Sequence, residues 1–242
     1  MKSERNCAFT FLFAEKEEII METVNKEFFD ACAKGDLEKV KETLANGADV
    51  NYKNGDSRTG LMRSAKRGYK EIVKLLLENG ADVRARDKNN KTALMGAAKK
   101  NYVDICEMLL EAGADPNSHD NNGRTALMRA SFTGELETVK CLINHGAEID
   151  AQDNSGRTAF MEAVLAAKIE CIHYLLNEGA NVNKQDNNGC TALMRAAYGG
   201  YNDLVIYLLH KGADKEIIDN NGHKAVHYVR TENLDPLKEL LK

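Results

Sequence analysis

The stretch Asp186-Asn-Asn-Gly189-Cys-Thr191-Ala-Leu-Met194-Arg-Ala-Ala-Tyr-Gly-Gly200-Tyr-Asn-Asp-Leu204-Val-Ile-Tyr-Leu208-Leu-His-Lys-Gly212-Ala213 decides how this chain folds. Its first four residues spell a turn, because Asx side chains bond the local backbone and glycine accepts positive φ. Thr191 stands where a helix needs an N-cap, an oxygen that accepts from the first free N–H groups. Leu193, Ala196 and Ala197 give that short helix a narrow apolar face, and Gly200 stops it. A second helix carries Leu204, Val205, Leu208 and Leu209 as one stripe, closed by Gly212. Neither helix would persist alone, because nucleation costs too much in helices shorter than about twelve residues. The unit must therefore bury its stripes against neighbours.

The neighbours are copies of itself. Thr59, Thr92, Thr125, Thr158 and Thr191 are spaced by 33 residues, and Gly47, Gly80, Gly113, Gly146, Gly179 and Gly212 keep the same interval. Thr-Ala-Leu-Met is complete at Thr92–Met95, Thr125–Met128 and Thr191–Met194, with Thr59-Gly-Leu-Met62 and Thr158-Ala-Phe-Met161 as variants. Two markers locked in register mean a linear array with neighbour-only contacts. The expected fold is an all-α solenoid of helix–turn–helix units with short hairpin-like loops, seven units including two caps. Residues 1–20 are expected to form a mobile N-terminal extension, 21–53 a capping unit, 54–218 five full repeats and 219–242 a C-terminal cap. Asn25 is expected to cap the first helix. Lys224 holds the threonine register in the last unit, and Asp235-Pro236 is expected to open the final helix, with Leu237, Leu240 and Leu241 inward.

The pattern D-x-x-G-x-T-A-L-x-x-A-A, then G, V-x-x-L-L and G-A, resembles the ankyrin repeat, whose usual motif is T-P-L-H. The resemblance covers residues 26–242 without insertion. Alanine or glycine replaces the usual proline at Gly60, Ala93, Ala126, Ala159 and Ala192, and methionine replaces the usual histidine at Met62, Met95, Met128, Met161 and Met194. That histidine ties loops together in the family, whereas a methionine column is expected to be core. The resemblance implies partner binding on the concave side, through hairpin tips and the exposed face of each first helix.

Composition narrows the setting. Apolar residues make up 43% and charged residues 29% of the 242, and the net charge of −4 gives no global drive toward nucleic acid. Six cysteines (Cys7, Cys32, Cys106, Cys141, Cys171, Cys190) show no C-x-x-C spacing, and four align with apolar or small residues of sister repeats. Buried thiols of a reducing compartment explain them, so a cytoplasmic protein is expected. Cys7–Ala14 follows Lys2 and Arg5, but the apolar run is short, Glu4 interrupts the basic region and no A-x-A site follows; secretion is the weaker reading. No stretch approaches a membrane span.

No catalytic constellation emerges. His223 and His227 lie at i, i+4, a possible metal pair, but no third ligand follows at a suitable spacing. No phosphate-binding loop or nucleophile elbow is present. No enzyme activity, cofactor or metal is expected.

Counting the turn Asp as position 1, positions 2, 3, 5, 10, 13 and 14 are expected to face outward. Position 5 reads Arg58, Lys91, Arg124, Arg157, Cys190, and position 10 reads Arg63, Gly96, Arg129, Glu162, Arg195. Positions 13 and 14 read Lys66-Arg67, Lys99-Lys100, Phe132-Thr133, Leu165-Ala166 and Tyr198-Gly199. The groove is thus basic first and apolar-aromatic later. Residues 54–86 carry eight cations against four anions, whereas each later full unit is slightly negative. Arg63, Lys66 and Arg67 share one helix face, a mildly unfavourable arrangement that points to function. A solvated face without a partner is the plainer alternative.

Two functions compete. A monomeric protein-interaction module would grip an acidic segment with its cations and an apolar one with Phe132, Leu165 and Tyr198. Alternatively, the basic groove senses a small phosphate-containing anion or a nucleotide. A structural spacer is a third possibility.

Overall fold

The structure, a computed structural model, describes the backbone of residues 2–230 and 234–242 and the side chains of residues 18–230 and 237–242. Helix α1 (Lys2–Lys34) runs into α2 (Leu37–Ala45). Five helix pairs follow: α3 (Gly60–Arg67) with α4 (Lys70–Glu78), α5 (Ala93–Ala98) with α6 (Val103–Glu111), α7 (Ala126–Thr133) with α8 (Leu136–Asn144), α9 (Ala159–Leu165) with α10 (Ile169–Asn177), and α11 (Ala192–Gly199) with α12 (Asn202–His210). A 3₁₀ turn (Ala225–Tyr228) and α13 (Leu234–Leu241) close the array. Among the described residues there is no strand. Each first helix packs on the first helices before and after it, and each second helix does likewise, so one core runs along the stack.

The local chemistry follows the repeat. Thr59, Thr92, Thr125, Thr158 and Thr191 cap α3, α5, α7, α9 and α11, each Oγ1 accepting from the methionine N–H three residues on. Those methionines are buried, as are Leu61, Leu94, Leu127, Phe160 and Leu193 beside them. The column is core, and it has a second use at one end: Thr191 N–H points at Met194 Sδ, 3.4 Å away. In the last unit His227 occupies that register, and its Nδ1 accepts from Lys224 N–H at 2.9 Å. The terminal unit therefore retains the histidine tie that methionine replaces elsewhere.

The hairpin tips are stitched to one another. Lys88, Asn121, Asn154, Asn187 and Asn220 each donate a backbone N–H to a carbonyl of the preceding tip. The side-chain amides of Asn121, Asn154, Asn187 and Asn220 donate to carbonyls one full repeat back, at 2.9–3.2 Å. Position 2, expected to face a partner, is thus spent on the stack itself. Burial also accounts for the cysteines. Removal from water pushes the Cys32 and Cys106 thiols up to about 12, and those of Cys141 and Cys171 up to about 11. A thiol so disfavoured as thiolate is a poor nucleophile. Cys7 and the expected leader-like segment lie outside the described side chains.

Three expectations change. Asn25 is not a helix cap, because α1 passes through it; its Oδ1 instead accepts from Asp49 N–H at 2.7 Å and ties α1 to the first loop. The boundary placed after residue 20 falls inside the same helix. In α13, Leu237 and Leu241 are buried but Leu240 is 40% exposed, since residues 237 and 241 share a face that 240 leaves. No helix among the described residues is long and apolar enough to cross a membrane.

Ala167 is strained. The link between paired helices adopts positive φ at Gly35, Gly68, Gly134 and Gly200 and at Asn101, a residue type that tolerates it, but the same register holds Ala167 at φ +50°. A left-handed alanine costs about 1–2 kcal/mol, part of which glycine returns as unfolded-state entropy. Ala167→Gly should therefore stabilise the array by about 0.5 kcal/mol, read as a higher denaturation midpoint at unchanged slope.

Candidate basic interface on the first-helix face

A buried carboxylate sits at the head of almost every unit. Asp87, Asp120, Asp153, Asp186 and Asp219 are each at least nine-tenths buried. In each, Oδ1 accepts two backbone N–H groups of its own turn, two and four residues on. The other oxygen still needs a donor, because an ionised carboxylate left unpaired in the interior is expensive.

Position 10 usually supplies it. Arg129 pairs with Asp120 and Arg195 with Asp186. In the last unit the Tyr228 hydroxyl donates to Asp219 at 2.6 Å, which holds that carboxyl well below the usual carboxylate range; the same bond pushes the Tyr228 hydroxyl up. Where position 10 is Glu162, the arrangement inverts. Arg157 takes over Asp153 at 3.0 Å and also reaches Glu162 at 3.0 Å, while Arg124 clamps the second Glu162 oxygen. Glu162 is 1% exposed, so it is an internal counter-ion where the sequence suggested an outward contact. Arg124, Arg129, Arg157 and Arg195 are half-buried, and their charge is met inside the array.

The first two full units break this rule from opposite sides. Asn54 replaces the aspartate: its Oδ1 closes the same turn, accepting from Asp56 and Arg58, but it carries no charge for Arg63 to meet. In the next unit Asp87 is present, but position 10 is Gly96, which has no donor to offer. Arg58 only approaches Asp87, at 3.6 Å, and also pairs with Asp56 at 3.1 Å. Gly96 lets α5 pack closely on α3, since an added Cβ would lie 3.2 Å from Lys66 Cβ.

The two departures meet in a cavity of about 160 Å³ between α3 and α5. Arg63, Lys66, Lys91, Lys99 and Lys100 line it, and none makes an ion pair among the described residues. Arg63 Nε is buried without a hydrogen-bond partner, as are those of Arg124, Arg129, Arg157 and Arg195, and its guanidinium stacks 5.9 Å from the Phe29 ring centre. The Lys66 amine is held below its ordinary value, first by burial and then by Arg58, Arg63, Lys91 and Lys100. That is the signature of a positive field with too few anions. Arg67 is exposed beside Lys66 but does not line the cavity.

Farther along the same row of helices the surface turns apolar. Phe132 is 43%, Leu165 39% and Tyr198 54% exposed. Arg124 lies over the Phe132 ring at 5.9 Å and Arg230 over Tyr198 at 4.2 Å, so two of the three rims carry a stacked cation. His223 and His227, at the far end, have ring centres 5.5 Å apart. His223 lies 3.6 Å from Asp219, and His227 Nδ1 is occupied by Lys224 N–H. No group of three or more metal-ligating side chains forms among the described residues.

Two outcomes separate structural charges from free ones. Glu162→Leu leaves Arg124 without its counter-ion and Arg157 with Asp153 alone, and should destabilise the array by about 3 kcal/mol, whereas Lys100→Gln should change stability by less than about 0.5 kcal/mol. Denaturant titration of the two variants checks this. The second outcome concerns acid. A carboxyl depressed in the folded state contributes stability that is present above its unfolded pKa and lost as pH falls through the folded one. Asp219 should hold the last unit together to below the ordinary carboxylate range, and Tyr228→Phe should raise the acid midpoint of amide protection there.

A family model described as ankyrin repeats (3 copies) matches residues 28–120, 112–186 and 166–242. No curated protein matches the chain. Ankyrin repeats are generally protein–protein interaction modules and typically not enzymes. Threonine-capped helix pairs, stitched tips and the extent of the match lead to one conclusion: this chain belongs to the ankyrin-repeat family.

Proposed function

We propose that this array is a non-enzymatic module that grips another protein along its first-helix face. The partner presents an acidic segment to α3 and α5, followed by apolar side chains over α7, α9 and α11. The observation that carries this reading is the contrast in how cations are used. In the later units groove arginines are neutralised internally, whereas Arg63, Lys66, Lys91, Lys99 and Lys100 make no ion pair around a cavity whose one carboxylate, Asp87, is approached by Arg58. Uncompensated charge at this density speeds encounter and selects acidic partners. Phe132, Leu165 and Tyr198 supply the desolvated contacts that dominate affinity.

Of the residues named from sequence, Arg58, Arg63, Lys66, Arg67, Lys91, Lys99 and Lys100 remain available for the acidic segment in this reading. Arg124, Arg129, Arg157 and Arg195 have inward duties, and Glu162 has no outward face. A small phosphate-containing anion is the second reading, favoured by the cavity itself. Nucleotide recognition is less well supported, because no aromatic side chain lines the cavity to stack a base.

Affinity capture followed by mass spectrometry tests the proposal. Partners retained by the wild type should be lost when Arg63, Lys66 and Arg67 are all replaced by Glu. Leu165→Ser with Tyr198→Ser should weaken the same partners, and both variants should keep the wild-type helical spectrum. Capture that ignores the charge reversal would refute the acidic-segment reading.

A further inference from the structure

We infer that the cavity between α3 and α5 is a site for a phosphomonoester group carried on a side chain of the protein partner. This deepens the reading above and rests on it. The first argument concerns how the site arises. Asp120, Asp186 and Asp219 receive an arginine or tyrosine from position 10, and Asp153 receives Arg157 from position 5. Asn54 removes the acceptor from one unit and Gly96 removes the donor from the next. Either change alone would leave an isolated imbalance. Together, in adjacent units, they leave a guanidinium without its carboxylate beside a cavity.

Charge decides between ligands. A single carboxylate brings one negative charge and two oxygens to five unpaired cations. A phosphoryl group brings about −1.5 to −2 and three strong acceptor oxygens. Arg63 presents a planar fork suited to two of those oxygens, and the lysines act as point charges around the third. Arg63, unlike Arg129 and Arg195, faces no carboxylate at the head of its turn, and burial with neighbouring cations depresses the Lys66 amine.

Shape agrees. The cavity of about 160 Å³ has the volume of about five waters in the liquid, enough for a tetrahedral group with its ester oxygen. The exposed row of Phe132, Leu165 and Tyr198 continues from this point, so an anion attached to a polypeptide would use both regions. A free anion would use only the first.

The test uses the full chain at about 0.15 M salt, where exposed charges are screened beyond about 8 Å. O-phosphoserine, inorganic phosphate and glutamate are titrated separately while the amide signals of Gly96 and Lys66 are followed by NMR. Degenerate peptide libraries with a fixed phosphoserine, or glutamate in its place, are then compared by anisotropy. O-phosphoserine should saturate, and the phosphoserine library should bind at least about tenfold tighter than the glutamate library. Gly96→Leu keeps every charge while crowding Lys66 at the cavity wall, and it should abolish that preference. Should Gly96→Leu disturb folding, Arg63→Gln and the exposed pair Lys99→Gln with Lys100→Gln provide the same comparison.

The outcomes separate the two claims. Equal binding of phosphoserine and glutamate libraries, both lost on charge reversal, would overturn the phosphoryl site and leave the acidic-segment reading standing. Saturation by inorganic phosphate with no peptide preference would overturn carriage on a partner, and the interaction reading with it. A phosphoserine preference undiminished by Gly96→Leu would also overturn the assignment.

Discussion

Helices of six to nine residues have no independent stability, and every element from α2 to α12 is of that length. Each exists because the units on either side cover its apolar stripe. That constraint accounts for the unbroken interval of 33, since a unit that slipped would uncover two neighbours at once. It also accounts for the choice of side chains. Alanine and threonine face the next first helix closely, and Leu76, Leu109, Leu142, Leu175 and Leu208 fill the space between paired helices without exposure.

Stacking at the hairpin tips creates a second demand. Each turn brings a carboxylate into the interior, where two backbone donors satisfy one oxygen and leave the other to be met by a long side chain. The array answers with a repeating internal ion pair, and its groove arginines are shared between structure and surface. Arg124, Arg129, Arg157 and Arg195, which seem to face a partner, are therefore already committed. What distinguishes the first two full units is the absence of that commitment. The unpaired positive charge there follows from the loss of one half of a structural pair in each of two consecutive units, with no new fold and no insertion.

The fold was largely legible in the chain. Threonine caps, turn glycines, the 33-residue beat and the leucine stripe are local features whose geometry is fixed by backbone chemistry, so the helix pairs follow from them. Errors arose where a residue's neighbour is one or more units away. Asn25 has a cap's side chain, but the helix around it is continuous and its partner is Asp49. Position 2 looked like a free tip residue, but its asparagines hold the preceding tip. His227 was weighed as a metal ligand, although its register, three residues after Lys224, already marked it as the loop tie.

Sequence by itself determined the unit, its repetition, the family and the row of cations along one face, because each rests on spacing within a single chain segment. Only the tertiary structure decided which of those cations are free. Arg63 and Arg129 hold the same register and the same chemistry, but one meets an asparagine and the other an aspartate at the head of its turn. Gly96 reads as a minor substitution until the neighbouring helix shows that it removes the donor for Asp87 and brings α5 close to Lys66 beside a cavity. Net charge is a property of composition, whereas unmet charge depends on which side chains stand within a few ångströms, and distance is set only when the units stack.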